Sequence, residues 1–215
     1  MSYQLSITPQ EIEKLPLVAF EGKINVISEP GKEFERALKY LRRQKVIGFD
    51  TESKPVFTPG VRGNGVALVQ LSGKDEAFLF RVQKLGMLGK LCHIFADPFI
   101  LKVGAASSDD VRGLQRIQPF TERRFVDLQK MVWEYGIKDK SVKKMAAIIL
   151  GVRISKTQQL SNWEAPVLSE AQLKYAATDA WICREMYLKL RRSRKEPLKL
   201  EQMLPPEQLL KMAKK

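Results

Sequence analysis

Val46-Ile47-Gly48-Phe49-Asp50-Thr51-Glu52 is a short, mostly apolar run that ends in two acids. A run of this length, closed by the Pro- and Gly-containing stretch 53–65, reads as a buried strand followed by a loop. Strand side chains alternate, so residues 46, 48, 50 and 52 share one face. Asp50 and Glu52 therefore emerge together at the carboxyl end of a buried strand, where open α/β sheets place their ligand sites. Adjacent like charges repel, and burying them unpaired is costly; a divalent cation relieves both problems. Alone, the pattern is weak and reads more readily as an exposed strand end with two solvated acids.

Outward from this strand, residues 23–28 (KINVIS) read as a strand and 32–43 as a helix. VALVQLS and EAFLFRV read as two further strands joined by a turn at Gly73-Lys74-Asp75. A helix over 86–96, a strand ILKVG, a helix over 108–117 and a last short strand FVDL follow. The remainder is helical over 128–135, 141–150 and 169–191. Thr8-Pro9-Gln10-Glu11 and Ser169–Gln172 carry capping-box signatures. LPPEQLLKMAKK at the C-terminus has the composition of one more short helix. Strands first, then strands alternating with helices, argue for an α/β fold: a mixed sheet with helices on both faces.

The second signal lies in the long C-terminal helix. Leu173, Ala176, Ala180, Cys183, Tyr187 and Leu190 form one apolar stripe. Tyr175, Asp179, Ile182 and Met186 form a second line, so Asp179 points in a mostly apolar direction with Tyr175 one turn away. A structural tyrosine beside a salt-bridged aspartate is the plain alternative. The third signal is Lys102-Val-Gly104-Ala-Ala-Ser-Ser-Asp109-Asp110, a short strand leading into a helix with two aspartates in its first turn. The helix dipole alone accounts for acids there. Taken together, Asp50, Glu52, Asp110 and Asp179 supply four hard oxygen ligands, a set that suits magnesium or manganese better than zinc. Two such ions about 4 Å apart suit phosphodiester hydrolysis.

Composition narrows the field. The chain of 215 residues is 44% hydrophobic and 28% charged, enough for one domain with a sizeable core. No apolar run approaches the roughly 18–20 residues that span a bilayer, so no membrane partner is expected. MSYQLSITPQEIEKL lacks the basic-then-apolar pattern of a signal peptide, which points to the cytoplasm. Lys and Arg total 37 against 24 Asp and Glu, a net charge of +13 that favours polyanionic partners. Cys92 and Cys183 are too far apart for a disulfide framework or a zinc-ligand spacing, and Cys92-His93 reads as part of an amphipathic helix. With His93 the sole histidine, acid–base chemistry falls to carboxylates, tyrosine, lysine or activated water.

FDTE, VGAASSDDVRGL and YAATD, in that order, resemble the three motifs of the DEDD exonuclease superfamily. The DEDDy branch is the nearest, with the exonuclease domain of the Werner-syndrome helicase and the catalytic domain of RNase D. The resemblance extends through GVALVQLS, QQLSNW and LSEAQLKYAATDA and covers roughly residues 25–191. It implies an RNase H-like fold, with a mixed five-stranded sheet flanked by helices. It also implies a 3′-5′ exonuclease that releases nucleoside 5′-monophosphates from DNA or RNA 3′ ends, using two divalent cations. Asp50 would bridge both ions, Glu52 and Asp179 would complete one site, and Asp110 would help hold the second through water. Tyr175 would orient the attacking water. Asp110 fits the second motif better than Asp109, because Gly104 and Leu114 stand at the family spacing from it. Lys174 stands where the sister branch needs a histidine.

Residues 23–192 are thus expected to be the exonuclease domain, 1–22 an N-terminal extension and 193–215 a basic tail. Phe57 and Arg62 in the loop after the first motif, and Trp163, are candidate substrate contacts. Trp163 reads better as a packing residue, and the loop at least as well as an ordinary surface. Two other classes compete: a catalytically silent nucleic-acid-binding module and a nucleotide phosphodiesterase acting on small molecules.

Overall fold

The structure, a computed structural model, describes residues 2–57, 60 and 65–203. In chain order the elements are α1 (Pro9–Glu13), β1 (Lys23–Ile27), α2 (Lys32–Arg42), β2 (Val46–Ser53), β3 (Val66–Ser72) and β4 (Glu76–Arg81). Then come α3 (Val82–Leu85), α4 (Gly89–Ala96), β5 (Leu101–Gly104), α5 (Ser107–Ile117) and β6 (Phe125–Asp127). Helix α6 (Leu128–Met131) passes into a 3-10 turn at Val132–Tyr135, before α7 (Val142–Leu150), α8 (Glu170–Leu190) and α9 (Leu200–Met203). The strands form one six-stranded sheet in the order β1-β4-β3-β2-β5-β6. β2 and β3, and β3 and β4, are antiparallel; the other neighbours are parallel. The five strands implied by the resemblance become six because FVDL does form a strand, pairing in parallel with β5 over Lys102–Gly104.

Most elements lie within a residue or two of the sequence reading. The helix expected over 86–96 starts only at Gly89, because Gly86, at φ 72°, ends the short α3 instead. Both capping boxes form, at Thr8–Glu11 and Ser169–Gln172. The short helix expected in LPPEQLLKMAKK falls outside the described residues.

The alternation of β2 divides the core. Ile47 and Phe49 point into a cluster with Phe34 and Leu38 of α2, Ile94 and Phe95 of α4, and Leu114 of α5. On the other face, α8 lies across β2 and β3, and its Ile182, Cys183 and Met186 join Val103 and Met145 in a second cluster. At Gly48 an added Cβ would stand 1.8 Å from the Ala180 carbonyl oxygen, so only glycine lets α8 approach β2 this closely. The segment before β1 is packed onto this body: Ile7 and Ile12 cover Ala147, and Phe20 sits against Ala77 and Ala177. Beyond α8, the Leu198 N–H donates to the Trp133 carbonyl at 2.9 Å, and Leu198 is buried.

Candidate active site

The close approach of α8 to β2 assembles the site. Asp50 and Glu52 lie on the face of β2 that carries Gly48, two and four residues further on, at the strand's carboxyl end. Asp179 precedes Ala180, the residue whose backbone rests on Gly48. Carboxylate oxygens of Asp50, Glu52 and Asp179 consequently lie within 4.8 Å of one another. Asp179 is buried, and Asp50 and Glu52 are half-buried.

No described residue forms an ion pair with any of the three. Burial, followed by repulsion from Asp179, Glu52 and Asp110, pushes the Asp50 carboxyl well above the usual carboxylate range. Burial, with Asp179 next, pushes Glu52 up to about 8. Asp179 is raised by burial too, against the opposing effects of the Lys156 charge and a hydrogen bond from Tyr175. A cluster of mutually repelling carboxylates that no described residue ion-pairs, and whose upward shifts the Lys156 charge offsets only in part, is a donor set for a hard cation. The acidic cluster therefore fits a divalent metal.

Asp110 reaches the site from the opposite face of the sheet and is not in the cluster of three. Thr51 alternates with Asp50 and Glu52 on β2, and its hydroxyl donates to Asp110 Oδ1 at 2.6 Å. Burial raises the Asp110 carboxyl against that hydrogen bond. Asp109 points outward and ion-pairs with Arg112, and its carboxyl lies below the usual range because of that pairing. The two neighbours are thus separated as helical geometry requires.

Tyr175 is buried, and its hydroxyl donates to Asp179. Burial and the neighbouring Asp179 charge hold the phenol far above its ordinary value, so it remains a neutral donor. Trp163 packs beneath it at 5.9 Å between ring centroids and is fully buried. Its ring is therefore closed to base stacking, which corrects the expectation of a substrate contact and leaves packing as its role. Phe57 is 76% exposed in the loop after β2. Arg62 lies outside the described residues.

Two neighbours escaped the sequence reading. Thr51 was legible, since alternation sends it to the face opposite Asp50. Lys156 gave no signal in its spacing: the fold sets its ammonium 6.0 Å from the Tyr175 ring centroid, and its charge opposes the upward shifts of Glu52 and Asp179. Cys92 and Cys183 are free and buried, with thiols raised by burial, so neither is an activated nucleophile.

Comparison with known proteins converges on the same reading. Residues 25–194 match the family described as 3'-5' exonuclease. The exonuclease mut-7 homolog of Aedes aegypti is 26% identical over 193 residues, covering 78% of this chain and 26% of that protein. The mouse bifunctional 3'-5' exonuclease/ATP-dependent helicase WRN is 30% identical over 188 residues, covering 83% of this chain and 13% of that protein. The chain thus spans about a quarter or less of the length of these curated relatives. The crystal structure of the Aedes aegypti Nibbler EXO domain superposes with a TM-score of 0.70 at 23% identity, covering 91% of this chain and 98% of that one. That likeness establishes the RNase H-like fold. With the family match spanning most of the chain, this protein belongs to the 3'-5' exonuclease family.

Proposed function

We propose that this chain removes nucleotides one at a time from the 3′ end of a nucleic-acid strand, with two divalent cations, magnesium or manganese, as cofactors. The observation that carries the reading is the unpaired Asp50–Glu52–Asp179 cluster, with the Tyr175 hydroxyl on its Asp179 edge. Asp50, Glu52 and Asp179, with Asp110 from the opposite face, would hold the cations. Bound there, hard cations would supply stabilisation of the charge developing on the phosphate and would acidify the attacking water. Tyr175, kept protonated, orients that water toward phosphorus. The new bond joins water oxygen to phosphorus, and the bond to the 3′ oxygen of the preceding nucleotide breaks. The products are a nucleoside 5′-monophosphate and a strand one residue shorter with a 3′ hydroxyl. Phe57, exposed in the loop after β2, would be a contact for the strand. Residues 23–192 would carry this activity, with 1–22 as a packed extension and 193–215 as a basic tail. Two buried free cysteines accord with a reducing, cytoplasmic setting.

Digestion of 3′- and 5′-labelled DNA and RNA, single- and double-stranded, tests the proposal. EDTA should abolish hydrolysis and magnesium or manganese should restore it. Full activity in metal-free buffer, or binding without cleavage under every condition, would sink it.

A further inference from the structure

Gln70 lies at the middle of β3, directly opposite Asp50 in the antiparallel register of β2 and β3. Opposed residues of an antiparallel pair project from the same face, with Cβ atoms about 5 Å apart. Gln70 therefore sits beside Asp50 under α8, flanked along its own strand by Leu68 and opposed on its other side by Leu79 of β4. Both leucines belong to the apolar cluster formed with Trp163, Tyr175 and Ala176. Gln70 is fully buried, yet neither its amide nitrogen nor its amide oxygen has a hydrogen-bond partner among the described residues.

A buried amide with both ends unpartnered is costly, and such groups call for an explanation. A leucine or methionine would fill the same apolar slot without that cost. The polar group that the register brings nearest is the Asp50 carboxylate, which is itself turned into the acidic cluster.

We infer that Gln70 is a positioning residue for the catalytic site, its amide N–H donating to Asp50 when the carboxylates are engaged with cations. The inference rests on the proposed metal-dependent function and extends it by one residue. Cross-strand neighbours on one face stand about 5 Å apart at Cβ, within the reach of a glutamine side chain. The bond fixes which Asp50 oxygen faces the cluster, as hydrogen bonds behind metal-ligating carboxylates do elsewhere. The amide oxygen then accepts from a bound water.

The test separates this role from plain packing, using the full chain without substrate. Gln70→Met keeps the length of the side chain and removes both polar atoms; Gln70→Leu serves if the first variant folds poorly. Melting temperature is measured in EDTA, and manganese affinity by titration calorimetry. The expected result is a metal-free protein that melts about 2–4 °C higher than wild type, paired with manganese affinity about 10–100-fold weaker. The opposed directions are diagnostic, because a packing residue moves stability and leaves metal affinity alone. Manganese affinity equal to wild type in a folded variant overturns the inference. A wild-type protein that binds manganese but cleaves no nucleic acid refutes the exonuclease proposal while leaving the Gln70 result readable. A wild type that binds no manganese overturns both.

Discussion

Gly48→Ala tests whether the closeness of α8 to β2 builds the site. The added Cβ would stand 1.8 Å from the Ala180 carbonyl oxygen and 2.5 Å from its carbon. Ordinary carbon–oxygen contacts begin near about 3.3 Å, so the helix must retreat by roughly 1.5 Å. Retreat is resisted, since Ala176, Ala177 and Ala180 are fully buried and Arg184 Nε donates to the Val46 carbonyl at 3.2 Å. Overpacking of this kind costs about 1–3 kcal/mol. For a chain of this size that lowers the melting temperature by about 2–4 °C per kcal/mol. The same retreat draws Asp179 away from Asp50 and Glu52, and a misplacement of about 1 Å costs roughly 10²-fold in rate. Thermal melting, manganese titration and single-turnover cleavage of a labelled oligonucleotide read the three consequences. Gly89→Ala is the control, because an added Cβ there meets nothing within 4 Å. A Gly48→Ala protein with wild-type melting, metal affinity and rate would refute the argument that this glycine sets the spacing of the carboxylates.

Asp110→Asn should lower turnover by at least about 10²-fold, whereas Asp109→Asn, which loses only an exposed ion pair with Arg112, should retain most of it; steady-state assays of both variants decide, and the reverse order would refute the assignment. Tyr175→Phe should cut turnover by about 10²–10⁴-fold, with a smaller loss of manganese affinity than Asp179→Asn, which removes a ligand and should damage both; a fully active Tyr175→Phe protein would leave the phenol without a catalytic role. In EDTA, stability should fall as pH rises from about 5 to 8. Glu52 is held near 8 in the folded protein against an ordinary 4.5, so its protonated form favours the folded state below 4.5, and that advantage is lost as pH passes through 8. Added manganese should reverse the decline, and a metal-free melting temperature that climbs across this window would contradict the assignment.

Much of this site could be read from the order of residues. The period of two in Val46–Glu52 set Asp50 and Glu52 side by side, and the 3–4-residue stripes of the last long helix turned Tyr175 and Asp179 inward. What the sequence left open depends on approach between elements distant in the chain. Gly48 looked like any strand glycine until Ala180 came to rest on it. Trp163 offered an aromatic face that suits base stacking as well as packing, and only the cover of Tyr175 and the surrounding cluster decided it. Lys156 sits in an irregular segment, where no periodicity marks which way a side chain points. Gln70 is polar in an otherwise apolar run, and its position opposite Asp50 follows only from the strand register.

The central claim is that these carboxylates hydrolyse a strand inward from its 3′ end. A 5′-labelled single strand incubated with manganese and either wild-type protein or Asp179→Asn tests it most directly. Wild type should generate a ladder of labelled strands shortening by one nucleotide at a time, with nucleoside 5′-monophosphate accumulating, and Asp179→Asn should leave the strand intact. Early release of the label as a mononucleotide, or an undiminished ladder from Asp179→Asn, would contradict the account.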